Sequence, residues 1–206
     1  AQSVTYDNTS YGDDIRTVIL QKAISIYDPL PLIALGSSEK LRLSFDILSP
    51  NNEFFNYTYI HCDRNWQESS LQQMEYISGK LMGDIVDFKF STNTYQRFTH
   101  YALNFPEKDM EITKSGNYIL KIYRNFDLED VVLTRRFMVL DRHTSISTNI
   151  RSATDPEYRF THQEVDFSVN YEGFTIPNPF LDVNVTVLQN NSWNNAIYNL
   201  KPLFVN

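Results

Sequence analysis

The sequence is short of cysteine, of long apolar runs and of the common catalytic motifs, and each shortage excludes a class of protein. Cys62 is the only cysteine among 206 residues, so the chain cannot form an internal disulfide. No apolar run approaches the roughly 20 residues that a membrane-spanning helix needs. The phosphate-loop, dinucleotide-binding and serine-nucleophile patterns are all missing. These shortages leave no motif-based reason to expect an enzyme, and no cofactor is predicted.

Basic charge is also scarce. The net charge is −7, and lysine and arginine form no cluster. A nucleic-acid-binding protein needs a basic face that displaces counterions from phosphates. A protein held at a membrane surface by basic residues needs the same kind of cluster. We therefore expect neither nucleic acid nor a membrane surface as the partner.

Aromatic residues are abundant and point to β-structure. The chain has 13 Tyr and 14 Phe, and such flat side chains pack well on a pleated sheet. Residues 41–47 alternate apolar and polar side chains, which is typical of a half-buried strand. "PLPLIALG" predicts an edge or crossover segment, because proline cannot donate to a strand ladder. Further strands are predicted at 15–28, 54–62, 84–91, 98–105, 117–126 and 130–140.

One helix is predicted, at residues 69–78. Ser70 is a candidate cap, with Gln73 reaching back to it three residues later. Three apolar residues would then share one face of the helix. They are Leu71, Met74 and Ile77.

About eight strands joined by turns predict an all-β fold, an antiparallel β-sandwich. In "KSGNYILKIY", a glycine stands two residues before Tyr118 at the start of a strand, as in the tyrosine corner of immunoglobulin-like folds. Leu120 stands where a disulfide cysteine would normally follow. The first domain, 1–141, is therefore predicted to be a disulfide-free immunoglobulin-like sandwich.

A second β-rich domain is predicted at 142–206. The chain turns polar over 141–163, which suggests a boundary near Asp141. Alternating apolar residues then predict strands at 164–171 and 181–189. At this length the segment is either a partial domain or the start of a longer one.

The stretch "YIHCDRNWQ" resembles a catalytic or metal site in composition. In a strand His61 and Cys62 point to opposite faces, so they cannot serve each other as base and nucleophile. The paired ligand spacing of a zinc site is absent. The acidic hairpin 125–130 likewise lacks the full calcium-loop pattern. We interpret the stretch as a strand end followed by a turn, begun by Asp63 and covered by Trp66.

Several phrases together resemble one family: "YIHCDRNW", "FKFSTNTYQRFTHYALNFP", "KSGNYILKIY", "TRRFMV", "QEVDFSV" and "NNSWNNAI". They are similar to the plug protein family of the Bacteroidota type IX secretion system, formerly a domain of unknown function. The resemblance implies an exported, periplasmic, non-enzymatic β-sandwich protein, associated with the outer membrane, that occludes the translocon barrel. Family members are typically longer, so the chain resembles an N-terminal part or a shortened member.

The start "AQSVTYDN", without Met, fits either a mature N-terminus left by signal-peptide cleavage or a cloning boundary.

The functional hypothesis is a periplasmic protein that docks on the outer-membrane translocon through a few aromatic and arginine anchors. Trp66, Tyr76 and Tyr95 are the candidates for exposed contact residues. His61, Asp63 and Arg135 are the candidates for organising loops beneath them. An alternative is a cell-surface carbohydrate-binding or adhesin-like module, in which exposed aromatics stack on sugars. A hydrolase is the third option, with no activated nucleophile to support it.

Overall fold

The computed structural model describes residues 4–24, 30–171, 173 and 175–205. The chain divides into two compact units, 1–141 and 142–206. Almost every regular element is a strand, and most strands pair antiparallel, so the predicted all-β class is confirmed. Within the described ranges, no helix has the length and apolarity needed to cross a membrane.

The first unit contains twelve strands and one helical turn in its described part. In chain order they are β1 (Thr9–Ser10), β2 (Ile15–Lys22), β3 (Leu32–Ala34), β4 (Leu41–Ile47), β5 (Phe55–Cys62), α1 (Gln73–Tyr76), β6 (Ile77–Gly79), β7 (Gly83–Asp84), β8 (Asp87–Phe90), β9 (Thr99–Phe105), β10 (Met110–Ile112), β11 (Gly116–Arg124) and β12 (Val131–Leu140).

Two sheets form the sandwich. One has the order β1-β12-β11-β5-β7, with β3 added in parallel to β12, and the other has the order β2-β4-β9-β8. The sequence β2, β4, β9, β8 corresponds to strands A, B, E and D of an immunoglobulin domain, and β12, β11, β5 corresponds to G, F and C. The unit therefore has the predicted immunoglobulin-like arrangement, and "PLPLIALG" supplies the edge strand β3.

The core follows from the strict alternation of apolar residues. Leu43 and Phe45 of β4 are fully buried, and the ring of Phe45 stacks on Tyr101 with centroids 5.3 Å apart. The Tyr118 hydroxyl donates to the Lys114 carbonyl at 2.8 Å, which is the bond of a tyrosine corner. Leu120 is fully buried at the position of the missing cysteine. Hydrophobic packing thus occupies the place that a disulfide takes in related sandwiches.

The predicted helix at 69–78 is wrong in extent and in its cap. Only Gln73–Tyr76 is helical, and the carboxylate of Glu75, not Gln73, reaches back to accept from the Gln72 amide at 2.7 Å. Met74 is 79% exposed, so it does not share a buried face with Ile77. Strand pairing limits the helix on its C-terminal side, because 77–79 pairs with β10.

Two predicted strands also need correction. Residues 84–91 form not one strand but two, β7 and β8, which belong to different sheets. The predicted strand at 15–28 ends at Lys22, and residues 25–28 lie outside the described part of the chain. Elsewhere in the unit the predicted strands agree with the observed ones to within a residue or two.

The second unit consists of two hairpins and a helical turn in its described part. Its elements are β13 (Ser145–Ser152), β14 (Gln163–Asn170), α2 (Pro179–Asp182), β15 (Val185–Gln189) and β16 (Ser192–Leu200). β13 pairs only with β14, and β15 only with β16, within the residues described. No described residue of this unit is buried.

The strand prediction for this unit was partly wrong. Residues 164–171 overlap β14, but Leu181 lies in α2, because Pro179 begins a helical turn there. β13 lies in the polar stretch that predicted a boundary, and its lack of apolar alternation hid it.

Candidate partner-binding surface

Residues 61–69, named here the Trp66 loop, contain three of the six candidate residues. The Asp63 carboxylate accepts from the amides of Asn65 and Gln67, at 2.8 and 2.9 Å. The Asp63 amide donates to the Gln67 carbonyl at 2.8 Å, which closes the turn. This is the geometry of a side chain that organises a loop.

His61 fastens the start of the Trp66 loop to Ser115, the residue before β11. Its Nε2 lies 3.3 Å from the Ser115 carbonyl, and its Nδ1 lies 2.8 Å from the Ser69 hydroxyl. A carbonyl oxygen only accepts, so in the neutral ring Nε2 donates and Nδ1 accepts from Ser69. The Nε2 atom also lies where a side chain on Gly116 would begin, 2.5 Å from an ideal Cβ. Residue 116 must therefore be glycine for His61 to sit here.

Trp66 is buried, so the prediction that it is an exposed contact residue is wrong. Only 2% of the residue is exposed, and the Arg136 guanidinium lies 4.6 Å from its ring centroid. Its backbone has a φ of +61°, which is unusual for a bulky side chain. Trp66 closes the end of the sandwich under an arginine.

Tyr76 is also buried, at 3% exposure, and the prediction of an exposed anchor is wrong here too. Its hydroxyl donates to the Tyr59 carbonyl at 3.3 Å, and its ring packs against His61 with centroids 5.6 Å apart. The short helix α1 turns this side chain inward, over the end of β5. Tyr76 therefore supports the Trp66 loop from below.

Arg135 shares the face of β12 that carries the core residues Leu133 and Phe137. Its guanidinium donates to the Thr9 carbonyl at 2.8 Å and to the Ser10 hydroxyl at 3.0 Å. Burial lowers the pKa of Arg135 to about 10, so it remains charged at neutral pH. Arg135 holds residues 5–11, named here the N-terminal arm, along the edge of β12.

Arg136, which sequence reasoning did not select, joins the N-terminal arm to the Trp66 loop. Its Nε donates to the Tyr6 carbonyl at 2.9 Å, while its plane covers Trp66. The Tyr6 hydroxyl in turn donates to the Glu68 carboxylate in the loop. Arg136 also forms an ion pair with Asp7, 3.4 Å away. No local pattern signals the contact with Trp66, because it depends on the register of β12.

Tyr95 is fully exposed, as predicted, in the loop between β8 and β9. The Thr99 hydroxyl next to this loop donates to the Ser49 carbonyl at 3.1 Å, at the end of the sandwich where β4 ends and β5 begins. The Trp66 loop follows the other end of β5. The six candidates therefore do not form one surface.

The chemistry of the Trp66 loop is that of a structural element. Cys62 is buried, and burial raises the pKa of its thiol to about 12, so it stays protonated and unreactive. Among the described residues, no three His, Cys, Asp or Glu side chains are grouped to hold a metal ion.

Comparison with solved structures finds a protein with a very similar fold. A solved hypothetical protein from Parabacteroides merdae superposes with a TM-score of 0.92 at 29% identity, over 98% of this chain and 51% of that one. The chain thus spans about half the length of that solved relative. Pseudomonas fluorescens alkylpurine DNA glycosylase AlkC, bound to abasic-site DNA, matches at a TM-score of 0.34 and 10% identity, over 61% of this chain and 30% of that one, and carries no argument. A comparison with curated proteins finds no match.

A family model gives the relationship directly. The model of the type 9 secretion system plug protein 1st domain matches residues 15–141. This range covers most of the sandwich, from the start of β2 to the residue after β12. The family is not an enzyme family and belongs to a secretion-system context. The chain therefore belongs to the type 9 secretion system plug protein family.

Proposed function

We propose that this chain is a non-enzymatic periplasmic protein that docks on the outer-membrane translocon of the type IX secretion system and plugs it. The observation that carries the proposal is the family match over residues 15–141. The mechanism is steric: a folded domain seated in a channel mouth blocks passage until it is displaced. The outer-membrane barrel is the proposed partner.

The hydrogen bonds that fix the loops of unit 1 support this mechanism. A plug must keep its shape against a wide opening, and binding by a rigid body loses less conformational entropy than binding by a mobile loop. The Trp66 loop is fixed by hydrogen bonds from two backbone amides to the Asp63 carboxylate. The N-terminal arm is fixed by hydrogen bonds from Arg135 and Arg136 of β12. The strand β1 of this arm pairs with the edge of β12, which protects that edge from pairing with a strand of another chain.

The buried thiol also supports a binding role over a catalytic one. Cys62 is the only cysteine, and its raised pKa keeps it a neutral, packed side chain. The histidines His61 and His100 have partners that give them structural roles. His61 is hydrogen-bonded to the Ser69 hydroxyl, and the Nδ1 of His100 lies 2.6 Å from the Asp46 carboxylate. Binding energy in such a protein comes from a few buried aromatic and arginine contacts.

The experiment is affinity capture from native membranes of a bacterium that carries this secretion system. The tagged chain is incubated with detergent-solubilised membranes, and captured proteins are identified by mass spectrometry. A tagged acidic immunoglobulin-like domain from an unrelated protein is the control. The proposal expects a very large outer-membrane barrel protein, captured by the chain and not by the control. Capture of no such barrel by the folded chain would contradict it, and saturable binding on a glycan array would favour the carbohydrate-binding alternative.

A further inference from the structure

The end of unit 1 opposite the Trp66 loop exposes large apolar side chains on several loops. We name this the hairpin end; it comprises residues 11–14, 48–54, 84–86, 91–98 and 125–130. Phe54 is 70% exposed and Phe126 is 65% exposed, although each lies beside a fully packed strand. The other exposed apolar or aromatic side chains of this end are Val86, Tyr95 and Leu128.

Backbone hydrogen bonds bring these loops together. The Asn125 amide donates to the Phe54 carbonyl at 3.1 Å, so the hairpin 125–130 and the loop 48–54 are in direct contact. The Ile85 amide donates to the Phe55 carbonyl at 2.9 Å, which places Val86 on the same end. The backbone segments that carry Phe54, Val86 and Phe126 are therefore neighbours at this end of unit 1.

Phe126 occupies a position where glycine would normally stand. Asn125 and Phe126 have φ angles of +50° and +62°, and the Asp127 amide donates to the Arg124 carbonyl at 2.8 Å. Positive φ at both central residues of such a turn is the type I′ pattern, for which Asn-Gly is the favoured pair. A bulky side chain at positive φ is strained, and such strain is concentrated at functional sites.

The surrounding structure fixes the strained turn. The Phe126 amide donates to Asn56 Oδ1 at 2.8 Å, and Asn56 Nδ2 donates to the Asp84 carboxylate at 2.6 Å. Asn56 is buried, so this bond spans from the sandwich to the tip of the hairpin. The backbone of Phe126 is thus held in place, which lowers the conformational entropy lost when a partner covers this residue.

Arg124 connects three loops of the same end. Its guanidinium lies 2.9 Å from Glu53, 3.2 Å from Asp14 and 3.5 Å from Asp130. Three carboxylates around one arginine leave the cluster with net negative charge. The apolar tips therefore stand on a rigid, acidic base.

The charge of the hairpin end selects among partners. Its loops carry seven carboxylates, against two arginines when Arg124 is included. An anionic lipid surface would be repelled by such a face. An apolar protein pocket with basic side chains around it fits both the exposed rings and the charge.

We propose that the hairpin end is the docking face of this chain, and that Phe126 and Phe54 insert into an apolar pocket of a partner protein rimmed by lysine or arginine. The inference rests on the proposed function in taking a protein as the partner, and it adds the face and the chemistry of the contact. The buried residues Trp66 and Tyr76 have no part in this contact.

Site-specific photo-crosslinking tests the face. A benzoyl-phenylalanine is placed at position 54, 126 or 74 in cells that carry the secretion system, and crosslinked peptides are sequenced. Met74 is the matched control, because it is 79% exposed and lies on α1, away from the hairpin end. We expect crosslinks from 54 and 126 to an apolar peptide with neighbouring lysine or arginine, and at least tenfold less product from 74. Equal yields from all three positions, crosslinks to a second copy of the chain, or crosslinks only to lipid would overturn the proposal.

Two variants test the anchor itself. Phe126→Gly should raise the melting temperature by about 2–4 °C, because the strain at positive φ is relieved. The same change should weaken partner binding by at least tenfold, as should Phe54→Ser, while Met74→Ser leaves binding unchanged. Unchanged binding for both phenylalanine variants would show that the face is elsewhere.

The partner identified and the position of the crosslink give separate answers. A translocon crosslinked only through position 74 would leave the proposed function standing and remove this face. A different basic-rimmed protein crosslinked through 54 and 126 would keep this face and remove the translocon as the partner.

Discussion

The guanidinium of Arg136 lies over the indole of Trp66, 4.6 Å from the ring centroid. Trp66 lies in the Trp66 loop and Arg136 lies in β12, and their contact closes one end of the sandwich. The same arginine binds the Tyr6 carbonyl of the N-terminal arm. A single side chain therefore connects the Trp66 loop, the arm and β12.

Trp66→Ala should destabilise the fold by about 3–5 kcal/mol, because a large buried side chain is removed and a cavity is left. Urea denaturation followed by circular dichroism measures the change. Met74→Ala, at a residue 79% exposed, should change stability by less than about 0.5 kcal/mol. A Trp66→Ala protein as stable as the parent would show that Trp66 is a surface residue after all.

Tyr118→Phe should cost about 1–2 kcal/mol, because the hydroxyl no longer donates to the Lys114 carbonyl. The ring itself stays packed against Phe137, so the fold should be retained. Tyr95→Phe is the matched control, since the hydroxyl removed there belongs to a fully exposed residue. Equal stability of the two variants would mean that the tyrosine corner contributes nothing measurable here.

The fold should lose stability at high pH. Burial is the main cause that raises the pKa of several tyrosines above the ordinary value of 10.0, so the unfolded chain releases these protons first. Their stabilising contribution is complete below pH 10 and is lost as the pH rises through the raised values. The part of the tyrosinate absorbance that comes from the buried tyrosines should appear together with the change in circular dichroism, in one cooperative step above pH 10. Ionisation of the buried tyrosines without unfolding would contradict this. The tyrosines concerned are Tyr57, Tyr59, Tyr76, Tyr101, Tyr118 and Tyr123.

The two units should differ in independent stability. A fragment of residues 1–141 contains both sheets of the sandwich and its buried core, so we expect a cooperative unfolding transition. A fragment of 142–206 has only two-stranded sheets and no buried residue in its described part, and such hairpins are marginal in water. Amide dispersion in NMR spectra distinguishes these outcomes. A well-dispersed spectrum from the 142–206 fragment alone would contradict the expectation.

The sandwich could be predicted from sequence because its signals are local. Alternation over residues 41–47 fixes which side chains face the core, and the glycine before Tyr118 marks the tyrosine corner. The strand β13 lacks such alternation and was missed. The predicted helix was too long because pairing of 77–79 with β10, which is distant in sequence, outweighs local helix preference.

The candidate surface was harder to predict. The ring of Trp66 is covered by Arg136, and the backbone amide of Phe126 donates to Asn56. Both contacts join segments far apart in the chain. The rarity of phenylalanine at positive φ could have drawn attention to Asn125-Phe126 only once the turn was known. Tyr95, a loop residue with no strand periodicity around it, was the candidate whose exposure sequence could indicate.

The most direct test of the central claim is the binding of the purified chain to purified outer-membrane translocon in detergent, measured by calorimetry. We expect saturable binding that weakens as salt rises from about 0.05 to about 0.5 M, because the acidic hairpin end meets a basic rim. We also expect Phe126→Gly to bind at least tenfold more weakly while remaining folded. If the folded chain shows no saturable binding, this chain does not dock on the translocon.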